Sequence, residues 1–234
     1  MHLEVEWDRT SELQPGVSAA PLVCTRRVAD IPAGDMSIHA ECIVPLRPRG
    51  VVLVATTGPE IGRESRESAE FLRHQTIATV LFTLCGTDEG LDESCATQVV
   101  NRLAGRMVEA TRWAAREPEF ASVGIGYLVS GWAVPAALKA TTMLPPVVDA
   151  VVCDCGRFDL SRDFLGDVET PVSLIAGERD TLALARSREA YYHLHSDKEL
   201  VIIKNAGTDL REPAAVQSAS EVATQWFGAY LRGR

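Results

Sequence analysis

Apolar runs of strand length alternate with long amphipathic stretches along nearly the whole chain, and this alternation constrains the fold most. The segment GVVLVAT at 50–56 is continuously apolar, which is typical of a strand buried on both faces. Further strands are predicted over 22–29, 37–45, 76–84, 122–129, 149–155, 171–178 and 199–207. Helices are predicted over 63–74, 92–116, 133–142, 182–195 and 213–231. The pattern predicts an α/β fold with a doubly wound, mostly parallel sheet.

The first two predicted strands are an exception to the parallel arrangement. They are separated only by the turn signal Pro32-Ala33-Gly34. Because a parallel crossover needs about a dozen residues or more, these leading strands are expected to be antiparallel. A length of 234 residues suits one domain. We therefore expect an N-terminal extension over 1–21 and a single domain over 22–234.

The charge balance narrows the classes of partner. Lys and Arg number 23 against 32 Asp and Glu, which gives a net charge of −9. This balance argues against nucleic acid or an anionic membrane as the main partner. No apolar run approaches the roughly 18 residues of a membrane-spanning helix, and the opening MHLEVEWDRT lacks the apolar core of a signal peptide. We therefore expect a cytoplasmic protein.

The cysteines and the glycine pattern give no sign of a metal or a cofactor. Six cysteines are scattered without a Cys-x-x-Cys pair, which favours buried, reduced thiols. Cys153 and Cys155 lie two residues apart, so that a regular strand would place both on one face. Neither common phosphate-binding glycine motif is present. We expect no cofactor and no metal site.

The residues that follow the strands are where chemistry is expected, since ligands of such sheets bind beyond the carboxyl ends of the strands. Four stretches carry a family resemblance: IPAGDMSIHAECIVPLRPRGVVLVA, IGYLVSGWAVPAAL, DAVVCDCGRFDL and PVSLIAGERD. The sequence resembles the α/β-hydrolase superfamily, specifically its dienelactone-hydrolase-like branch, from about Arg27 to Leu231. The resemblance implies an α/β-hydrolase fold.

The resemblance also implies where a nucleophile would stand. The family pattern G-x-S-x-G falls on Val129-Ser130-Gly131-Trp132-Ala133, so that Gly131 occupies the nucleophile position. Glycine adopts the strained conformation of such a turn without a side-chain cost. We expect the nucleophile to be lost, with Ser130 on a displaced turn as the alternative.

The other two members of the triad are unequally matched. The resemblance places Asp180 at the position of the family's acid and Thr208, followed by Asp209, at that of its histidine. Threonine and aspartate cannot replace a neutral imidazole base. The five histidines do not fall in loops at this edge; they are His2, His39, His74, His193 and His195.

The anion-binding part of such a site depends on backbone rather than side chains. The N–H of Trp132, at the start of a helix, and an N–H of the Thr57 loop are expected to form an oxyanion hole. Thr56 and Thr57 stand where relatives commonly carry His-Gly. The indole of Trp132 would form a wall of the pocket or fill the core. Glu60 and Asp88 add acidic groups at the same edge.

Three functions remain open. The first is a small-molecule-binding protein, or a non-hydrolytic enzyme such as an isomerase or cyclase. In its catalytic form Asp180 or Asp209 accepts a proton, and Thr208 and Ser130 donate hydrogen bonds. The second is an esterase or dienelactone-type hydrolase that uses Ser130. The third is a non-catalytic pseudoenzyme or scaffold. A homodimer formed through a leading strand is a further hypothesis.

Overall fold

The central strands have apolar side chains on both faces, so helices must cover both sides of the sheet. The computed structural model describes residues 4–7, 23–34, 36–86, 89–144 and 146–233, with 4–7 and 209 described by their backbone only. The strands are β1 (Glu4–Trp7), β2 (Cys24–Ala33), β3 (Met36–Pro45), β4 (Gly50–Thr56), β5 (Ile77–Thr83), β6 (Gly124–Gly131), β7 (Val148–Gly156), β8 (Val172–Gly177) and β9 (Lys198–Ile203). The helices are α1 (Arg63–His74), α2 (Ala96–Arg116), α3 (Ala133–Met143), α4 (Thr181–His193) and α5 (Pro213–Tyr230).

The strands form one sheet in the order β1-β9-β8-β7-β6-β4-β5-β3-β2. From β1 to β5 in this order every pair is parallel, whereas β3 is antiparallel to both β5 and β2. The predicted mostly parallel sheet with antiparallel leading strands is confirmed. As a result, β4, β6 and β7 end side by side at one edge.

Two apolar cores hold the layers together. Helices α2, α3 and α4 pack on one face, with Leu103, Val134 and Tyr191 in the core there. Helices α1 and α5 pack on the other face, where Leu72 and Phe227 are fully buried. None of the helices in the described part of the chain combines the length and apolar composition that a membrane crossing requires.

The structure corrects the predicted hairpin turn between the leading strands. Pro32 and Ala33 belong to β2, and the turn begins at Gly34, whose φ is +69°. Proline is tolerated there because β2 is the last of the described strands, so that no other described strand needs a hydrogen bond from its outer side.

A strand was also missed in the predicted N-terminal extension. Glu4–Trp7 form β1, which pairs in parallel with β9 from Glu4 beside Leu200 to Trp7 beside Ile203. The rest of the extension lies outside the described residues, and the domain boundary at 21/22 stays a prediction.

Helix α5 approaches the sheet closely at a glycine. A Cβ added to Gly126 of β6 would lie 2.6 Å from Cε1 of Phe227, closer than van der Waals contact allows. Gly105, inside α2, has no such neighbour within 4 Å.

We predict that Gly126→Ala lowers the free energy of unfolding by about 1–3 kcal/mol, because the methyl group forces Phe227 out of its place. Gly105→Ala is the control and is expected to raise stability by about 0.5–1 kcal/mol, because alanine favours the helix. Denaturant unfolding followed by circular dichroism measures both. Equal effects of the two substitutions would contradict the close packing of α5 on β6.

Candidate functional site

A cavity of about 290 Å³ opens at the edge where β4, β6 and β7 end. Among the sequence-predicted residues, Thr56, Thr57, Ser130 and Gly131 line it, together with the exposed Glu60. The remaining lining residues come from β4, β6, α1, the end of β7, α5 and the connecting loops; they include Ser65, Ser68, Leu128, Asp154, Cys155, Leu210 and Arg211. The parallel register therefore brings five residues named from the sequence together, as their positions at or after strand ends indicated.

The turn from β6 into α3 is built around Gly131. This residue ends β6 with a φ of +54°, in the left-handed region, and α3 begins two residues later at Ala133. A Cβ placed on Gly131 would meet no atom within 4 Å. The turn thus has the backbone conformation and the free space for a side chain at the cavity, but carries only hydrogen there.

Ser130 lies one residue earlier and has a different conformation. It is half-buried in β6, its register partner is Asp154 of β7, and it is not among the residues with positive φ. It lines the cavity from within the strand rather than from the turn.

The loop after β4 is held by the neighbouring strand end. The Leu84 N–H donates to the Thr56 carbonyl at 2.8 Å, and the Thr83 hydroxyl donates to the Gly58 carbonyl at 2.7 Å. These bonds fix the path of the loop that carries Thr57. The Thr56 hydroxyl is buried, and no group in the described part of the chain hydrogen-bonds to it.

Trp132 lies beside the cavity without lining it. Its ring packs against the core on the α2 and α3 side, and the guanidinium of Arg157 lies over it at 5.1 Å from the ring centre. The backbone N–H of Arg157 also donates to the Gly131 carbonyl at 3.1 Å. Hydrogen bonds to Asp159, and a further one to Glu93, raise the pKa of Arg157. Arg157 therefore fixes both the ring and the backbone of the turn, a role that its sequence position did not indicate.

Asp180 caps a helix. Its Oδ1 accepts a hydrogen bond from the Ala183 N–H at 2.9 Å at the start of α4, and Asp180 does not line the cavity. Aspartate is a preferred capping residue, so this position has a structural role independent of chemistry.

The loop at the predicted histidine position turns different residues toward the cavity. Thr208 is exposed and begins a short helical turn over Thr208–Leu210. Leu210, with φ of +48°, is buried, and it lines the cavity together with Arg211. Asp209 lies between them, and its side chain is outside the described part of the structure.

The end of β7, a strand end to which the sequence assigns no catalytic role, also contributes to the cavity. Asp154 and Cys155 both line the cavity. Burial strongly raises the pKa of the Cys155 thiol, and the nearby charge of Asp154 raises it further. A thiol with a raised pKa is a weak nucleophile at neutral pH.

The expectation that Cys153 and Cys155 share a face is wrong. Cys153 belongs to the core under α2 and α3, whereas Cys155 packs against the core on the α5 side. Cys155 has a φ of +47°, which interrupts the regular alternation of side chains along the strand.

The described histidines lie away from the cavity. His39 contacts Asp30 on the leading strands, His74 and His193 end α1 and α4, and none of them or His195 lines the cavity. His2 and Asp88 are outside the described residues. In the ranges that the structure describes, no group of three His, Cys, Asp or Glu side chains is placed to hold a metal ion.

Solved structures share this architecture. A dienelactone hydrolase from Anabaena variabilis is 29% identical, matches 89% of this chain and 99% of its own, and superposes with a TM-score of 0.81. The chain has an α/β-hydrolase fold. A dienelactone hydrolase-like promiscuous phosphotriesterase, P91, from metagenomic libraries shares the fold at 15% identity, with a TM-score of 0.69 over 89% of this chain and 99% of its own.

The curated proteins that are similar in sequence carry a different name from these solved structures. Two proteins from Mycobacterium tuberculosis strains, each called "Putative phosphoribosyl transferase", are 32% identical over 204 residues, or 86% of this chain. The matched region makes up 46% of each, so this α/β-hydrolase-fold chain spans about half the length of these relatives. No family model matches the sequence.

We predict that Gly131→Ala lowers the free energy of unfolding by about 1–2 kcal/mol, because a left-handed backbone is unfavourable for alanine while the space itself is open. Gly34→Ala is the matched control. Gly34 also has a positive φ, of +69°, and no neighbour within 4 Å of an added Cβ. Thermal and denaturant unfolding should give similar losses for the two variants. A neutral or stabilising Gly131→Ala would contradict the left-handed turn.

Proposed function

We propose that this chain binds a small molecule in the cavity at the sheet edge and does not hydrolyse esters through a Ser-His-Asp triad. The observation that carries the proposal is Gly131, a glycine in the left-handed conformation at the turn between β6 and α3, directly beside the cavity. In the family that the sequence resembles, this turn presents the nucleophile.

The turn at Gly131 lacks the side chain that ester hydrolysis through a triad needs. Covalent acyl transfer needs a nucleophile within hydrogen-bond reach of a base that activates it. Gly131 offers no such group, and the described histidines do not line the cavity. One carboxylate oxygen of Asp180 accepts the N-cap hydrogen bond of α4. These three observations support a site without a working triad.

Binding is supported by the cavity itself. Its volume of about 290 Å³ lies just below the range of small-molecule sites, ~300–1,000 Å³, which suits a small ligand. The first N–H groups of a helix have no partner within the helix, and the positive end of α3 begins beside Gly131. Thr57 and Ser130 add polar groups to the lining. The lining carries Glu60, Glu64 and Asp154 as well as the basic Arg211, so an anionic group of the ligand would have to lie at the start of α3.

Non-hydrolytic chemistry is the catalytic form of the same proposal. From the sequence, an isomerase or cyclase would use Asp180 or Asp209 as proton acceptor, Thr208 and Ser130 as hydrogen-bond donors, and the N–H groups of Trp132 and Thr57 at a developing oxyanion. Of these, Ser130 lines the cavity, whereas Asp180 and Thr208 do not. These roles stay predictions. The cytoplasmic location and the independence from a cofactor stay predictions as well.

Two other functions are alternatives to this proposal: a hydrolase that uses Ser130 and a scaffold without turnover. Ser130 lines the cavity, which favours a hydrolase that uses this hydroxyl from within β6. A scaffold without turnover would not need the cavity and would retain the fold alone. The name of the mycobacterial relatives belongs to proteins about twice as long as the matched region, so we do not extend phosphoribosyl transfer to this chain.

We predict that a fluorophosphonate probe leaves the intact mass of the protein unchanged, because none of the described histidines lines the cavity to activate a hydroxyl there. A short-chain aryl ester assay run in parallel is expected to give no turnover above the rate in buffer. Ser130→Ala is the matched control and should behave like the wild type. Labelling and turnover that both disappear in Ser130→Ala would contradict the proposal and establish Ser130 as the nucleophile.

A further inference from the structure

Among the described strands β2 is the last of the sheet, and the backbone groups on its outer side can be assigned residue by residue. Antiparallel neighbours alternate between residues that exchange backbone hydrogen bonds and residues that do not. The Leu46 N–H donates to the Val23 carbonyl at 3.2 Å, and the register continues from there with Thr25 beside Val44. The odd-numbered residues of β2 therefore direct their N–H and C=O groups toward β3. The even-numbered residues direct theirs away from the sheet.

The even-numbered residues also share one face of the strand. Successive side chains of a strand point to opposite faces, so Arg26, Val28 and Asp30 lie in a row. All three are exposed, and Val28, in the middle, is 71% exposed although it is apolar. A basic and an acidic residue thus stand at equal distances on either side of an exposed valine. Such a row is complementary to itself when it is reversed.

We propose that β2 pairs antiparallel with β2 of a second copy of this chain, with the two-fold axis passing beside Val28. In this register Val28 lies opposite the partner's Val28, and Arg26 lies opposite the partner's Asp30. The outward N–H and C=O groups of residues 26, 28 and 30 meet the same groups of the partner. The two sheets then form one continuous sheet through an isologous interface.

Asp30 contacts His39 of β3 in its own chain, and Arg26 lies near Glu41 and Arg73, so the partner's charges would add to those already present. Burial lowers the pKa of Arg73 on α1, Glu70 opposes this, and the positive charge of nearby Arg26 adds to the lowering. The partner's Asp30 would place a negative charge opposite Arg26. Cross-strand pairs of opposite charge are favourable, whereas like charges directly opposite one another are destabilising.

The ends of the strand set the length of the pairing. Pro32 is even-numbered, so its backbone nitrogen, which carries no hydrogen to donate, faces outward. In the proposed register Pro32 lies opposite the partner's Cys24, at the outer limit of the interface. The central pairs at residues 26, 28 and 30 keep all their donors and acceptors.

The charge pairs allow a test by exchange of charges. Arg26→Asp places two acidic residues opposite one another, and Asp30→Arg places two basic ones. Each variant is expected to raise the dissociation constant of the dimer about tenfold or more in sedimentation equilibrium. An equimolar mixture of the two, and the double variant Arg26→Asp/Asp30→Arg, should regain association close to the wild type. A monomeric wild type, or a dimer that none of these changes affects, would overturn the proposal.

The register is tested separately by a cross-link at the two-fold axis. Paired Cα atoms of a hydrogen-bonded antiparallel pair lie about 5.5 Å apart, within the reach of a disulfide. In a Cys24→Ser/Cys95→Ser background, Val28→Cys should give a covalent dimer on oxidation. Leu46→Cys is the control: this side chain is 79% exposed but lies five residues along the strands from the axis, so it should give none. Cross-linking through residue 46 rather than 28 would overturn the register.

Amide hydrogen exchange distinguishes pairing of β2 with a second copy of the chain from coverage of β2 by another segment of the same chain. The amides of Arg26, Val28 and Asp30 should exchange slowly in the wild-type dimer and rapidly in the Asp30→Arg monomer. Slow exchange in a monomeric wild type would show that another segment of the same chain covers β2, and would overturn the proposal.

Discussion

Burial of the central strands on both faces is the constraint on which the rest of the structure depends. Strands such as β4 have no polar face to turn toward water, so helices must cover each side of the sheet. Parallel strands with helical crossovers satisfy that requirement, and they bring the carboxyl ends of β4, β6 and β7 to one edge. The cavity, the turn at Gly131 and the start of α3 all lie there for this reason.

Most of the fold could be predicted because period and length separate its elements clearly. The predicted bounds of β4 and α1 match the structure, and the antiparallel arrangement of β2 and β3 follows from their short connection. The strand at Glu4–Trp7 could not be predicted in this way. Four residues carry too little periodicity, and their strand conformation depends on pairing with β9, a contact distant in sequence.

The candidate site was predicted only where position along a strand determines position in space. Thr56, Ser130 and Gly131 follow or end strands, and the structure brings them to one cavity. The contribution of Arg211 to the cavity and the stacking of Arg157 on Trp132 depend on side-chain directions and on contacts between separate loops. A linear pattern does not contain that information, and the left-handed Cys155 shows how one residue reverses an inference drawn from regular alternation.

Binding of a small anionic molecule in the cavity can be measured by titration with benzoate and with its neutral analogue benzamide, followed by protein NMR. We expect benzoate to bind more tightly than benzamide, and Leu128→Phe, which enlarges a side chain in the cavity lining, to weaken benzoate binding about tenfold or more. Leu182→Phe, the same change at an exposed position on α4, should bind as the wild type does. Equal binding of the two ligands, or binding that Leu128→Phe leaves unchanged, would show that the cavity is not the site of a small anionic ligand.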